Sequence, residues 1–200
     1  MLLIGICGAS GSGKSTLARA LKNALDSRCL ILAQDAYYRN HPDMTFEQRC
    51  ALNYDSPEMF EHDVLLEDIV KLSRGEAITK KQYDYSRHCR ADCDELIYPA
   101  DVVILEGIHT FFDERLRELM FLKLYMKVDP DECLLRRINR DIRERGRDIV
   151  SVSDQYRETV KPMYEKYIRG YEQYADVIVA NGGHNARIVN ILAEYMNSKV

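Results

Sequence analysis

The sequence predicts a three-layer α/β fold, with a parallel sheet held between two layers of helices. Three observations predict it: short, nearly continuous apolar runs; amphipathic segments alternating with them; and a glycine-rich turn between the first run and the first amphipathic segment. A strand that is apolar throughout is buried on both faces, and parallel sheets are buried in this way because their crossovers lay helices over both sides. Residues 2–7 are the first such run. Residues 15–26 follow, with Leu17, Leu21, Ala24 and Leu25 at i, i+4, i+7 and i+8, the spacing of one helix face. Residues 29–33 form the second run, and residues 57–73 read as a helix with Leu65, Ile69 and Leu72 on one stripe. Residues 101–105, 121–128 and 176–180 supply three further strands, making five. Residues 185–197 close the pattern as a helix carrying Ile188, Ile191, Leu192 and Tyr195 on one side.

Two segments interrupt the alternation. Residues 78–99 are polar and tyrosine-rich, and are expected to form a β-hairpin projecting from the sheet. Residues 131–147 are strongly charged and helical in pattern, and with residues to 150 are expected to form an arginine-rich lid. Neither repeats nor linker-like tracts occur, so residues 1–200 are read as a single domain.

Composition narrows the function. At 46% hydrophobic and 30% charged, with a net charge of −4, the chain can bury a core and is not disordered. With 28 basic against 32 acidic residues it lacks the positive excess of a protein that lives on phosphate backbones, so no nucleic-acid partner is expected. A membrane span needs about 20 apolar residues. The longest runs here fall far short, so no membrane partner is expected either. The opening MLLIGICGAS has no basic region and passes straight into a Gly/Ser turn, unlike a signal peptide. Six scattered cysteines without a framework suit reduced thiols and a cytoplasmic location. Cys89 and Cys93 beside His88 lack a second ligand pair, so zinc is not expected.

The segment Gly8-Ala9-Ser10-Gly11-Ser12-Gly13-Lys14-Ser15-Thr16 matches G-x4-G-K-[ST], with a strand before it and an amphipathic helix after it. In that setting glycines let successive N–H groups turn inward, and with the helix N-terminus they form an anion nest for phosphates. Lys14 would place its charge on the β- and γ-phosphates, and Ser15 would offer a hydroxyl to Mg²⁺. Neither Asn-Lys-x-Asp nor Asp-x-x-Gly occurs, which weakens a switch GTPase, and the chain is short for an ATP-driven machine. A kinase closing over a small acceptor fits best.

Phosphoryl transfer to an alcohol needs a metal site, a carboxylate near the hydroxyl, cations for developing charge and exclusion of water. Glu106 ends the run before Gly107, where a carboxylate faces the ligand crevice and can hold Mg²⁺ directly or through water; a helix cap or loop acid is its plainer role. Asp35 ends the second run, the place for a base or aligning group, or otherwise for a turn residue. Six arginines and two acids fall within residues 136–147, with Arg136, Arg140, Arg143 and Arg147 at helical spacing. Such a run is often a solvated face. Six arginines without a lysine favour guanidinium forks on phosphate oxygens, with Arg140 acting on the transferring group. Asp55 could accept bonds from paired sugar hydroxyls. Tyr83, Tyr85 and His88 could stack on and bond a planar base, or could simply pack the hairpin.

Taken together these segments resemble the uridine–cytidine kinase family, among the P-loop kinases of the phosphoribulokinase group. The resemblance spans Leu2 to about Asn185. It rests on the P-loop, Gln34-Asp35 with Tyr37-Tyr38, Asn53-Tyr54-Asp55-Ser56-Pro57, Tyr83-Asp84-Tyr85 with His88, Tyr98-Pro99-Ala100-Asp101, Glu106-Gly107-Ile108, Arg136-Arg137 with Arg140-Asp141, Glu144-Arg145-Gly146-Arg147-Asp148, Gln155-Tyr156 and Ala175-Asp176. It implies ATP or GTP donating its γ-phosphate to the 5′-hydroxyl of uridine or cytidine, giving UMP or CMP for pyrimidine salvage. It further implies Asp35 as base, Ser15 and Glu106 as magnesium ligands, and Asp55 on the ribose hydroxyls. Tyr83 and His88 would contact the pyrimidine and Tyr85 would line the pocket. Arg137, Arg147 and Gln155 would meet substrate or phosphates, and His184 would lie where a loop covers the nucleotide base. In this family a His at position 88 goes with acceptance of both nucleosides, and the family implies a homotetramer. The chain departs from the family at Ser56, at Gln82 and at Ala180-Asn181, where the family often has His, Pro and Pro. The alternatives are a related kinase acting on phosphoribulose or a pantothenate-like acceptor, and a module that senses ATP without turnover.

Overall fold

Period-two alternation divides the strands between two cores. The structure, a computed structural model, describes residues 1–200 apart from residues 26, 27, 92 and 181. In order the chain forms β1 (Leu2–Gly8), α1 (Lys14–Ala24), β2 (Cys29–Ala33), α2 (Phe46–Cys50) and α3 (His62–Ser73). Four two-residue strands follow: β3 (Ile78–Thr79), β4 (Tyr83–Asp84), β5 (Cys89–Arg90) and β6 (Leu96–Ile97). Then come β7 (Val102–Gly107), α4 (Glu114–Leu119), β8 (Leu122–Lys127), α5 (Pro130–Arg145), α6 (Ile149–Gln155), α7 (Lys161–Lys166), β9 (Val177–Ala180) and α8 (Ala186–Asn197). The central sheet has five parallel strands in the order β2-β7-β1-β8-β9. Ile4 and Ile6 of β1, with Val102 and Ile104 of β7, pack under α1 and α8. Leu3 and Cys7, with Val103 and Leu105, face the opposite way, toward α3, α4 and the 3-10 turn Ile168–Tyr174. These are the three expected layers, with five parallel strands as expected.

Element ends follow local chemistry. The final helix begins at Ala186 because the Asn185 side chain accepts from the Ile188 N–H. α5 stops at Gly146, whose φ of 63° is left-handed, so the helix ends two residues short of Arg147. The helix expected over 15–26 spans Lys14–Ala24, and Asp26 lies outside the described residues.

The helix expected over 57–73 is broken. Pro57–Met59 is a 3-10 turn, Phe60 is extended, and α3 starts only at His62. Tertiary pairing is the reason. Phe60 bridges Tyr38 in antiparallel fashion, Arg39 N–H donates to Met59, and Glu61 N–H donates to Tyr37. The Leu65/Ile69/Leu72 stripe is buried as its spacing predicts.

The segment 78–99 forms two short antiparallel ladders, β3 with β6 and β4 with β5, which is a hairpin in outline. Among the described residues no helix is long and apolar enough to cross a membrane.

Candidate active site

The parallel order brings the C-terminal ends of β1, β7 and β2 to one edge, and the order turns at β1. In open α/β sheets this edge is where ligands bind. The Gly8–Thr16 turn leaves β1 here and enters α1. Gly11 and Gly13 have φ of 86° and 93°, the left-handed region that admits glycine readily. Space is limiting as well. A Cβ on Gly11 would collide with the Cys133 carbonyl of α5, and one on Gly13 would lie 2.8 Å from the Gly183 nitrogen. The turn is therefore clamped between α5 and the 182–183 loop. His184 follows that loop directly and is exposed.

Lys14 is only 8% exposed and donates to the Ala9 carbonyl at 2.9 Å. Burial pushes its pKa down, opposed by the nearby Glu106 and Asp35 carboxylates. Ser15 donates to Glu106 Oε1 at 2.8 Å, so the hydroxyl and the carboxylate proposed for a metal stand side by side. A hydroxyl and a carboxylate are the hard oxygen donors that Mg²⁺ prefers. Burial raises the Glu106 pKa, with Lys14 pulling it down.

Asp35 lies in the 3-10 turn Gln34–Tyr37 just past the tip of β2, and Ala33 pairs with Glu106 across the ladder. Its Oδ2 accepts from the Tyr85 hydroxyl at 2.9 Å. The Arg145 guanidinium sits 4.2 Å from the centre of the Tyr85 ring. The hairpin thus reaches the tip of β2 and the end of α5 together.

Asp55 is 6% exposed. Its Oδ2 accepts from Thr159 at 3.0 Å, and Oδ1 lies 3.8 Å from Arg137. Burial raises its pKa, opposed by Arg137 and by the Thr159 bond. Tyr83 packs against Tyr38 at 5.0 Å, and His88 stacks on Tyr54 with centroids 5.0 Å apart. His88 has a φ of 48°, unusual for a residue with a side chain. Its Nδ1 is buried without a partner among the described residues. Burial and the charges of Arg147, Arg49 and Arg145 hold its pKa down, so the ring is neutral and can both donate and accept.

The arginines face the site differently from the expected stripe. Arg136 lies against Gly182 and pairs with Glu132, and Arg143 is exposed. Arg140 and Arg147 of that stripe line the cleft, joined there by Arg137 and Arg145. Arg137 donates to Ser10 Oγ at 2.9 Å and to Gln155 Oε1 at 2.9 Å, and Arg147 also donates to Gln155. The stripe holds in part: Asp141, wholly buried, draws Arg137, Arg140 and Arg145 toward itself, and Arg147 reaches the cleft from beyond the Gly146 cap.

One open cleft of about 1290 Å³ joins these groups, lined by Asp35, Asp55, Tyr83, Tyr85, His88 and the four arginines. Sequence reasoning named Tyr54, Asp141 and Arg145 as motif residues without giving them a role, and missed Thr159. Tyr54 was legible as the aromatic neighbour of Asp55. Asp141 was legible as one of only two acids among the arginines. Thr159 carried no signal: the π-helical stretch Tyr156–Val160 places it over Asp55.

Residues 3–187 match the model of the phosphoribulokinase / uridine kinase family. The chain belongs to this family. It is 44% identical over 192 residues to a uridine kinase of Geobacillus sp., covering 96% of this chain and 91% of that protein. It is 40% identical over 200 residues to a uridine kinase of Vibrio cholerae, covering 98% and 94%. Among solved structures, phosphoribulokinase from Rhodobacter spheroides superposes with a TM-score of 0.61 at 17% identity, covering 94% of this chain and 74% of that one. That last likeness establishes the shared P-loop kinase fold.

Proposed function

We propose that this protein is a uridine/cytidine kinase that transfers the γ-phosphate of ATP or GTP to the 5′-hydroxyl of a pyrimidine ribonucleoside, making UMP or CMP for pyrimidine salvage. The observation that carries the reading is the placement of Asp35 and Glu106 on adjacent strand tips, with the P-loop on one side and the Asp55–tyrosine–histidine wall on the other. Identities of 40–44% to proteins named uridine kinase support it.

Each group then has a task. The turn from Gly8 to Thr16 holds the triphosphate through backbone N–H groups, and Lys14 neutralises its outer phosphates. Ser15 and Glu106 would hold Mg²⁺, which would supply charge neutralisation for the phosphates. Asp35 accepts the proton of the 5′-hydroxyl as that oxygen attacks the γ-phosphorus, whose bond to the β–γ bridging oxygen breaks so that the nucleoside diphosphate leaves. Asp55 accepts bonds from the ribose hydroxyls. Tyr83, Tyr85 and His88 hold the base, and the 182–184 loop with His184 covers the nucleotide base. Arg137, Arg147 and Gln155 orient the substrates, and Arg140 meets the charge that develops on the transferring group. The protein works as a single domain, residues 1–200, with the 78–99 hairpin receiving the nucleoside and the 131–150 segment closing as a lid. It acts in the cytoplasm as a homotetramer.

A coupled assay of ADP release with uridine, cytidine, ribulose 5-phosphate, pantothenate or no acceptor tests the reading. Turnover is expected with uridine and cytidine. Turnover on the phosphorylated sugar alone would reject the nucleoside assignment, and tight ATP binding without turnover on any acceptor would make the protein a sensor.

The raised pKa of Asp55 gives a pH prediction. A carboxylate accepts two sugar hydroxyls only when ionised, that is, above its pKa. Burial moves that pKa above the ordinary aspartate value near 4. Acidification should therefore raise the KM for uridine at a pH above that value. A uridine KM that stays flat down to about pH 4 would remove Asp55 from the ribose site.

A further inference from the structure

His109 has no place in the chemistry described so far. It lies three residues beyond Glu106 on the loop leaving β7 and is wholly buried. Its Nε2 is 2.7 Å from the backbone carbonyl of Asp55, and its Nδ1 is 2.9 Å from the Tyr171 hydroxyl. A carbonyl only accepts, so Nε2 carries the proton and Nδ1 accepts from Tyr171. The rings of Phe60, Phe112, Tyr167 and Tyr171 stand around the imidazole at centroid distances of 5.7 to 6.3 Å. This shell is aromatic. Burial pushes the His109 pKa down to about 4, so the ring is neutral at ordinary pH and has one donor to give.

The backbone of His109 completes a bridge. Its N–H donates to Gln34 Oε1 at 2.8 Å, and Gln34 is the fully buried neighbour of Asp35. A Cβ on Gly107 would collide with the Gln34 side chain, so this contact is closely packed. One residue therefore ties the loop after β7, the turn that carries Asp35, and the irregular segment that carries Asp55. That segment needs such a tie. Residues 51–56 have no strand or helix of their own; the Tyr38 hydroxyl donates to the Tyr54 carbonyl, and among the described residues the Asp55 backbone is held by the Asn53 side chain at its N–H and by the His109 ring at its carbonyl.

We propose that His109 is a positioning residue for the acceptor: it fixes the main chain at Asp55 so that the ribose-binding carboxylate stands in register with Asp35. The proposal rests on the nucleoside-kinase reading for the role of Asp55, and on geometry alone for the anchoring. His109 touches neither substrate; it acts through Asp55.

Two variants test it. His109→Leu keeps approximate volume and removes the donor, leaving a buried carbonyl unpaired. His109→Gln keeps an N–H donor near the Nε2 position. His109→Leu should raise the KM for uridine about tenfold or more, with the KM for ATP within about threefold of wild type. His109→Gln should recover most of the loss. Hydrogen–deuterium exchange on the same proteins without substrate should show faster exchange across residues 51–59 in His109→Leu, and unchanged exchange in the P-loop. A wild-type uridine KM in His109→Leu together with unchanged exchange at 51–59 would overturn the proposal, as would equal damage in both variants. Should the wild-type protein not phosphorylate uridine at all, the functional reading falls, and the exchange measurement still decides the anchoring.

Discussion

Asp35→Asn should lower kcat with uridine by about 10²- to 10⁴-fold, the range over which a positioned general base acts, while ATP still binds. The substitution keeps shape and removes both the charge and the proton-accepting oxygen. It disturbs little else. Asp35 is partly exposed at the tip of β2, and its hydrogen bond from Tyr85 can be accepted equally by an amide oxygen. The phosphate-binding turn is anchored independently, by α5 at Gly11 and by the 182–183 loop at Gly13. Single-turnover kinetics with saturating ATP, and a calorimetric titration with a non-hydrolysable ATP analogue, separate chemistry from binding. A loss confined to ATP affinity would assign Asp35 to the metal-phosphate site with Glu106. A near-normal rate would leave it as a turn residue.

The fold was legible because it is written in burial. Strands of a parallel sheet are apolar at nearly every position, and the five runs emerged within two residues of their observed ends. The break at Phe60 was not legible, because the pairing of Phe60 with Tyr38 is a tertiary event that leaves the helical spacing of Leu65, Ile69 and Leu72 intact. The carboxylates Asp35 and Glu106 could be placed since strand tips in such sheets point at the ligand edge. The arginine face could not. Helical periodicity says which residues share a side, but a single buried acid and a glycine cap decided which side turned inward. His109 and Thr159 were invisible for a different reason. Each meets Asp55 across more than fifty residues of chain, and a residue held by one distant contact leaves no periodic trace.

Asp141→Ala should destabilise the protein by about 3 kcal/mol, the lower end for breaking a buried ion pair by removing one partner. For a chain of this length that corresponds to a fall in Tm of roughly 6–12 °C. The reason is the convergence of charge on one carboxylate. Asp141 is fully buried and lies 3.4 Å from Arg137, 2.9 Å from Arg140 and 3.5 Å from Arg145. Among the described residues, Arg137, itself 6% exposed, would then keep only the 3.8 Å approach to Asp55 as a negative partner. The remaining guanidinium groups repel one another across the cleft. kcat should fall at least tenfold as well, since Arg140 loses the contact that aims it. The same electrostatics predict a partial remedy. A bound triphosphate brings negative charge to the same arginines, so saturating ATP should raise the Tm of Asp141→Ala by more than it raises that of wild type. Differential scanning calorimetry with and without ATP makes the comparison. A Tm within about 2 °C of wild type would mean that the arginines are solvated well enough to dispense with Asp141. A large fall in Tm with no added response to ATP would mean that they hold the helix in place without meeting the phosphates.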